Sequence, residues 1–175
     1  MSAARRAGIA LIIVAGMLAN LLAASLPVYV FPPQLPPQPS DVVMVVGPAE
    51  PWRIAWAQQL IATSHAKELL ISTPPASRPA VCGSPGVLCF EPIPFTTQGE
   101  ARELAEQMKL HHWTTATVIT GTPHILRTRL RMWWCMSTGV QVVGRPTGLS
   151  AGDWVWQYIY QSAGFLKAFL VTPGC

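Results

Sequence analysis

Gly8 to Phe31 (GIALIIVAGMLANLLAASLPVYVF) carries no charge, and only Asn20 and Ser25 are clearly polar. No other stretch constrains the chain so strongly. As a helix it would be roughly 36 Å long at about 1.5 Å per residue, more than the ~30 Å hydrocarbon core of a bilayer. Arg5 and Arg6 precede it, and the next positive charge is Arg53. Positive residues stay on the cytoplasmic side, so this asymmetry puts the N-terminus inside and residues after 31 outside. A cleaved signal peptide is the competing reading, but its apolar core usually runs about 7–15 residues. The run is longer here, and Ala23, Ala24 and Ser25 make no clear Ala-x-Ala site. The expectation is an uncleaved single-pass anchor over residues 1–31 in the cytoplasmic membrane. Pro27 falls where the helix would leave the bilayer.

Residues 32–40 follow as a proline-rich tether (PPQLPPQP to Pro39). Such a run favours extended polyproline II, a semi-rigid spacer that would hold the rest ~25 Å from the membrane at ~3 Å per residue. Twelve Lys/Arg less Arg5 and Arg6 leave ten against eight Asp/Glu. That near-balance, with no basic stripe, argues against a nucleic-acid partner. Arg129 and Arg131 read as a solvated helix face. The four cysteines, Cys82, Cys89, Cys135 and Cys175, lie beyond the anchor, where thiols oxidise. They form no CxxC, so one or two structural disulfides are expected, with three pairings open.

Residues 41–175 read as one α/β domain. Asp41-Val-Val-Met-Val-Val-Gly47 is a near-continuous apolar run, the pattern of a strand covered on both faces. Trp52 to Ser64 has helical spacing, and Glu68 to Thr73 reads as the next strand. Strand, helix, strand in this order is a βαβ unit with parallel strands. Pro74 to Gly86 is a loop, either a flap over the site or a plain connection. Val87 to Glu91 is a third strand. Thr96 or Thr97 opens a helix running to Met108, with Glu100 spaced for a capping box from Thr97. Val140 to Gly144 is the last strand. Asp153 to about Leu170 is a helix rich in aromatics that would cover the sheet or a domain edge.

The stretch Thr115-Ala-Thr-Val-Ile-Thr-Gly-Thr-Pro-His-Ile-Leu-Arg127 joins fold to function. Val118 and Ile119 mark a buried strand, and Pro123 suits a helix start. His124 and Arg127, three apart, share one helix face. Ligands of open α/β sheets bind beyond the carboxyl ends of the strands.

With Asp41 to Gly47, Phe90-Glu91, Thr97-x-x-Glu100-Ala101 and Val118-Ile-Thr-Gly-Thr-Pro-His-Ile-Leu-Arg127 in order, the chain resembles the YdcF/SanA/ElyC-like family. The resemblance covers roughly Asp41 to Gly144. The tail from Trp154 to Cys175 is similar to the actinobacterial branch. The resemblance implies a Rossmann-like three-layer α/β fold with a mainly parallel sheet of about five strands, preceded by one transmembrane helix. It also implies a role in cell-envelope integrity, peptidoglycan or carrier-lipid metabolism. Three positions depart from the pattern: Gly47-Pro48-Ala49 replaces a richer glycine turn, Gly121 replaces a serine, and Gln161 stands where an acid is expected. S-adenosylmethionine binding, associated with a cytoplasmic relative, is not carried over.

The strand ends should converge, bringing Gly47, Arg53, Thr97, Thr120, Gly121 and Arg127 to one crevice as anion ligands. Glu100 or Glu91 with His124 is the candidate acid/base pair, since imidazole titrates near neutrality. The expected ligand is a phosphate-bearing or lipid-linked envelope metabolite, with no cofactor and no metal; whether any reaction follows is open. The plainer alternative pairs Arg127 with Glu100 to pin two helices and makes His124 a turn residue. A non-catalytic envelope factor binding a protein partner through the C-terminal helix is the second functional class.

Overall fold

The computed structural model describes residues 3–146 and 148–175. Helix α1 (Ala3–Tyr29) includes a span, Arg5–Tyr29, that is long and apolar enough to cross a membrane, with mean hydropathy 2.4. The remaining elements are β1 (Val42–Val45), α2 (Pro51–Ala62), β2 (Glu68–Ser72), β3 (Val87–Phe90), α3 (Thr97–Leu110), β4 (Ala116–Gly121), α4 (Ile125–Met136), β5 (Val140–Arg145) and α5 (Ala151–Leu166). A π-helical turn, Lys167–Val171, extends α5. The five strands pair entirely in parallel in the order β3-β2-β1-β4-β5.

Alternation along β1 explains the three layers. Val42, Met44 and Val46 face one side, where Leu104 and Met108 of α3 and Ile125 and Met132 of α4 cover them. Val43 and Val45 face the other, against Trp56, Ala57 and Leu60 of α2. With both faces covered, a continuous β-branched run is what β1 requires. Asp41 fastens the amino end, its Oδ2 accepting the N–H groups of Thr114 (2.7 Å) and Thr115 (2.9 Å). Those bonds hold its carboxyl below the ordinary carboxylate range. The strand order reverses between β1 and β4, which opens a crevice at their carboxyl ends.

The proline-rich segment does not act as a spacer. It doubles back along the edge strand β5: Gln34 Oε1 accepts Gly144 N–H (2.9 Å), Gln141 Nε2 donates to Pro36 O (2.8 Å), and Gln38 N–H donates to Gln141 Oε1 (2.9 Å). Side-chain amides thereby occupy part of an edge that would otherwise present unpaired backbone. The end of α1 consequently packs against α4 and the 3-10 turn Thr122–His124. The domain packs directly on the end of α1 instead of standing ~25 Å away from it.

All four cysteines are paired, as Cys82–Cys89 and Cys135–Cys175. The second pair staples the tail to α4, where Arg131 Nη1 donates to Thr172 O (2.6 Å). Arg131 is therefore buried under the tail and not on a solvated face; Arg129 remains partly open and donates to Pro33 O (3.0 Å).

Candidate functional site

Helix α3 begins with Thr96 as its N-cap, the hydroxyl accepting Gly99 N–H (3.3 Å). This frees Thr97 from capping, and Glu100 does not reach back to close a capping box. Glu100 instead extends across the sheet's carboxyl edge, where its Oε1 accepts the Gly47 N–H (2.6 Å). The purely structural reading of Thr97 and Glu100 is thus replaced by one that points both into the crevice.

His124 lies between two threonines. Its Nε2 is 3.3 Å from Thr97 Oγ1 and its Nδ1 is 3.2 Å from Thr120 Oγ1. Arg127 Nη1 donates to the same Thr97 Oγ1 (3.2 Å), and its Nε donates to Gln161 Oε1 (2.8 Å). The Thr97 hydroxyl, already accepting from Arg127, can donate to Nε2 or accept from it, and Thr120 meets Nδ1 in the complementary sense, so the pair serves either tautomer of the ring. Arg127 also stacks its guanidinium 5.4 Å from the Tyr160 ring centroid. Its Nη2 is buried without a hydrogen-bond partner, and no carboxylate lies within ion-pair distance of it among the described residues. The Arg127–Glu100 pin of the plainer alternative is therefore not formed.

Arg53, on the first turn of α2, donates through Nη1 to Val46 O (3.1 Å) and Pro48 O (3.2 Å), closing the end of β1. Its Nη2 is 3.4 Å from Glu50 Oε2. Gly121 lies beneath it: a side chain there would begin 3.4 Å from Nη2.

Electrostatics separate the two proposed acid/base partners. Burial, opposed by the nearby Ser72 hydroxyl, the Gly47 N–H bond and the charges of Arg127 and Arg53, leaves the Glu100 carboxyl above its ordinary range. Burial first, and then the charges of Arg127 and Arg53, push the His124 imidazole well below 6.5. His124 is partly exposed and lines two of the clefts around the site. The imidazole is accordingly neutral at neutral pH, suited to accept a proton or to orient Thr97. Glu100 and His124 border the same cleft without bonding one another. Glu91 is exposed and takes no part.

Three connected clefts surround this network, and Tyr160 lines all of them. One of about 810 Å³ lies between Arg53, Gly121, His124 and α5. A second, about 590 Å³, contains Thr97, Glu100 and His124 beside Pro74 and Ser77, so the loop after β2 forms a wall of the site. The third, about 360 Å³, joins the start of α3 to Arg127, Arg131 and Lys167.

The eight candidate residues converge, but not all can touch a ligand. The Gly47 N–H is committed to Glu100, and Thr120 is fully buried beneath His124. These two position their neighbours. Tyr160 and Gln161 are additions. Gln161, 2 % exposed on a largely apolar helix, stands out as a departure from the pattern of the family that the sequence resembles, whereas nothing in the sequence marks which face Tyr160 takes. No group of three or more His, Cys, Asp or Glu side chains among the described residues is placed to hold a metal. Comparison with family models, with curated proteins and with solved structures gives no match.

Proposed function

We propose that the chain is a membrane-anchored, extracytoplasmic domain of the YdcF/SanA/ElyC-like kind that binds an anionic, phosphate-bearing envelope metabolite, a carrier-lipid phosphate being the chemistry that suits it best. The carrying observation is Arg127, buried, with a free Nη2 and no carboxylate partner. Burial disfavours the charged Arg127 guanidinium more than Tyr160 and the Glu100 carboxyl favour it, and an anion contributed by a ligand offsets that cost. Arg131 adds to the charge: burial and the neighbouring charges of Arg127 and Arg102 both disfavour its protonated form. The first turn of α3, beside Thr97, supplies partial positive charge on the same side.

Arg5 and Arg6 before the span, with no positive charge between them and Arg53, support an N-terminus inside and a domain outside. Both disulfides suit an oxidising compartment. If a reaction follows binding, Thr97, oriented by neutral His124 and polarised by Arg127, is the hydroxyl placed to take part, with Glu100 as the nearby acid.

Calorimetric titration of the full chain in detergent with inorganic phosphate, pyrophosphate and farnesyl phosphate tests the reading. Arg127→Ala should weaken binding about tenfold to a hundredfold, the worth of a charge-assisted hydrogen bond, with an unchanged circular-dichroism spectrum. Equal affinity in wild type and variant would remove the proposal.

A further inference from the structure

The outer face of α5 has the wrong polarity for a helix facing water. Val155, Ile159, Ala163, Leu166 and Leu170, spaced three and four apart, are exposed together with the adjoining Trp156, Trp156 by 61 % and Leu170 by 76 %. Its inner face meanwhile buries Gln161 against Arg127. The sequence pattern predicts that the aromatics of this helix cover the sheet or a domain edge; the structure turns this apolar stripe outward. A stripe of this length on a helix is an interaction surface.

Its neighbour identifies the occupant. Ser25 Oγ of α1 donates to Tyr158 Oη (3.2 Å), Tyr29 Oη and Ser162 Oγ are 2.9 Å apart, and the Tyr29 ring meets those of Tyr158 (4.9 Å) and Phe165 (6.4 Å). Ser25 and Tyr29 belong to the last turns of the apolar span. At about 1.5 Å per residue that span outruns the ~30 Å hydrocarbon core, so these turns lie at headgroup depth. Tyr158, Ser162 and Phe165 occupy the face of α5 next to the exposed stripe, roughly a quarter turn away at about 100° per residue. Held by its side to the emerging end of α1, α5 presents its next, apolar face at headgroup depth, where lipid can cover it. Its Trp and Tyr residues are those that favour the interface, and Lys167 beside the stripe can extend its ammonium toward phosphates. The doubled-back tether leaves the domain no slack to rise away.

We infer that α5 and its π-helical turn form an interfacial membrane-binding helix that seats the domain on the outer leaflet. The inference rests on α1 crossing the bilayer and is independent of what the clefts bind. Tyr160, at the edge of the stripe, also lines all three clefts, so the site opens within a helix diameter of the lipid surface.

Spin labels on introduced cysteines test it in the full chain, because the native cysteines are all bonded. Val155→Cys, Ile159→Cys and Leu166→Cys are compared with Leu18→Cys inside the span and with Leu110→Cys, exposed at the end of α3. The protein is reconstituted at high dilution in vesicles of equal parts phosphatidylethanolamine and phosphatidylglycerol. Accessibility to oxygen and to a water-soluble nickel chelate is then measured at each site. The inference requires the oxygen-to-nickel ratio at 155, 159 and 166 to shift from the value at 110 toward that at 18. Values equal to that at 110, with 18 in lipid, overturn the inference alone. Immobile labels reached by neither reagent show a protein or a second copy covering the stripe and also overturn it. An aqueous value at 18 removes the spanning reading, and the inference with it.

Discussion

Substituting Gly164 by alanine would test how tightly α5 must approach Arg127. A Cβ at Gly164 would stand 2.7 Å from both Arg127 Cδ and Nε, nearly 1 Å inside ordinary contact. The arginine has little freedom to yield: its Nε is bonded to Gln161, its Nη1 to Thr97, and the residue is only 8 % exposed. Relief therefore breaks the Nε–Gln161 bond or lifts α5. Losing a charged hydrogen bond costs about 1.5–3 kcal/mol, and overpacking of this kind about 1–3 kcal/mol. Exchanging glycine for alanine in a helix returns at most about 1 kcal/mol. The net expectation is a loss of about 2 kcal/mol, or about 4–8 °C in Tm for a domain of this size. Gly152→Ala is the matched control, since a Cβ there meets nothing nearer than Ser150 Oγ at 3.9 Å. Differential scanning fluorimetry and phosphate titration of both variants decide the matter. Gly164→Ala should melt lower and bind phosphate more weakly, and Gly152→Ala should do neither. Indistinguishable variants would show that α5 does not press on Arg127 as described.

His124, with its imidazole held well below 6.5, should make the folded state lose stability as pH falls below about 6.5, because the unfolded chain takes up a proton that the native ring refuses. The slope is at most about 1.4 kcal/mol per pH unit, and denaturant melts of His124→Asn across that range should be flatter. Glu100 has the opposite sign: its raised pKa gives stability that is complete below about 4.5 and declines as pH rises. Glu100→Gln should therefore gain on wild type with increasing pH in the same melts. Breaking Cys135–Cys175, a separation of 40 residues, by a double serine substitution should cost about 3–4 kcal/mol, more than breaking Cys82–Cys89 at a separation of 7. Since the tail encloses Arg131, the 135/175 variant should also weaken phosphate binding, whereas the 82/89 variant should not.

Strand and helix positions were legible because β1 and β4 are buried runs of β-branched residues and α3 is opened by a threonine cap. The convergence of Arg53, Thr97, Glu100, His124 and Arg127 followed from the topology, since parallel strands bring the same ends of successive units together. The partner of each group was not legible. Thr96 and Thr97 are equally good caps locally, and only tertiary packing gives the cap to the first and the site to the second. The course of the tether depends on Gln34, Gln38 and Gln141 pairing with backbone far away in sequence, which polyproline composition does not encode. On α5 nearly every face is apolar, so periodicity does not say which one turns inward; the α1 contact and the Gln161–Arg127 bond decide it.

The site's central claim is that Arg127 lacks an anion that a ligand supplies. Tungstate, an electron-dense mimic of phosphate, locates such an anion directly by anomalous diffraction from soaked crystals of the full chain. The account predicts a peak within hydrogen-bond reach of Arg127 Nη2, beside the first turn of α3, that vanishes in Arg127→Ala crystals. Well-diffracting crystals with no peak there, or with tungstate bound only at other surfaces, would contradict it.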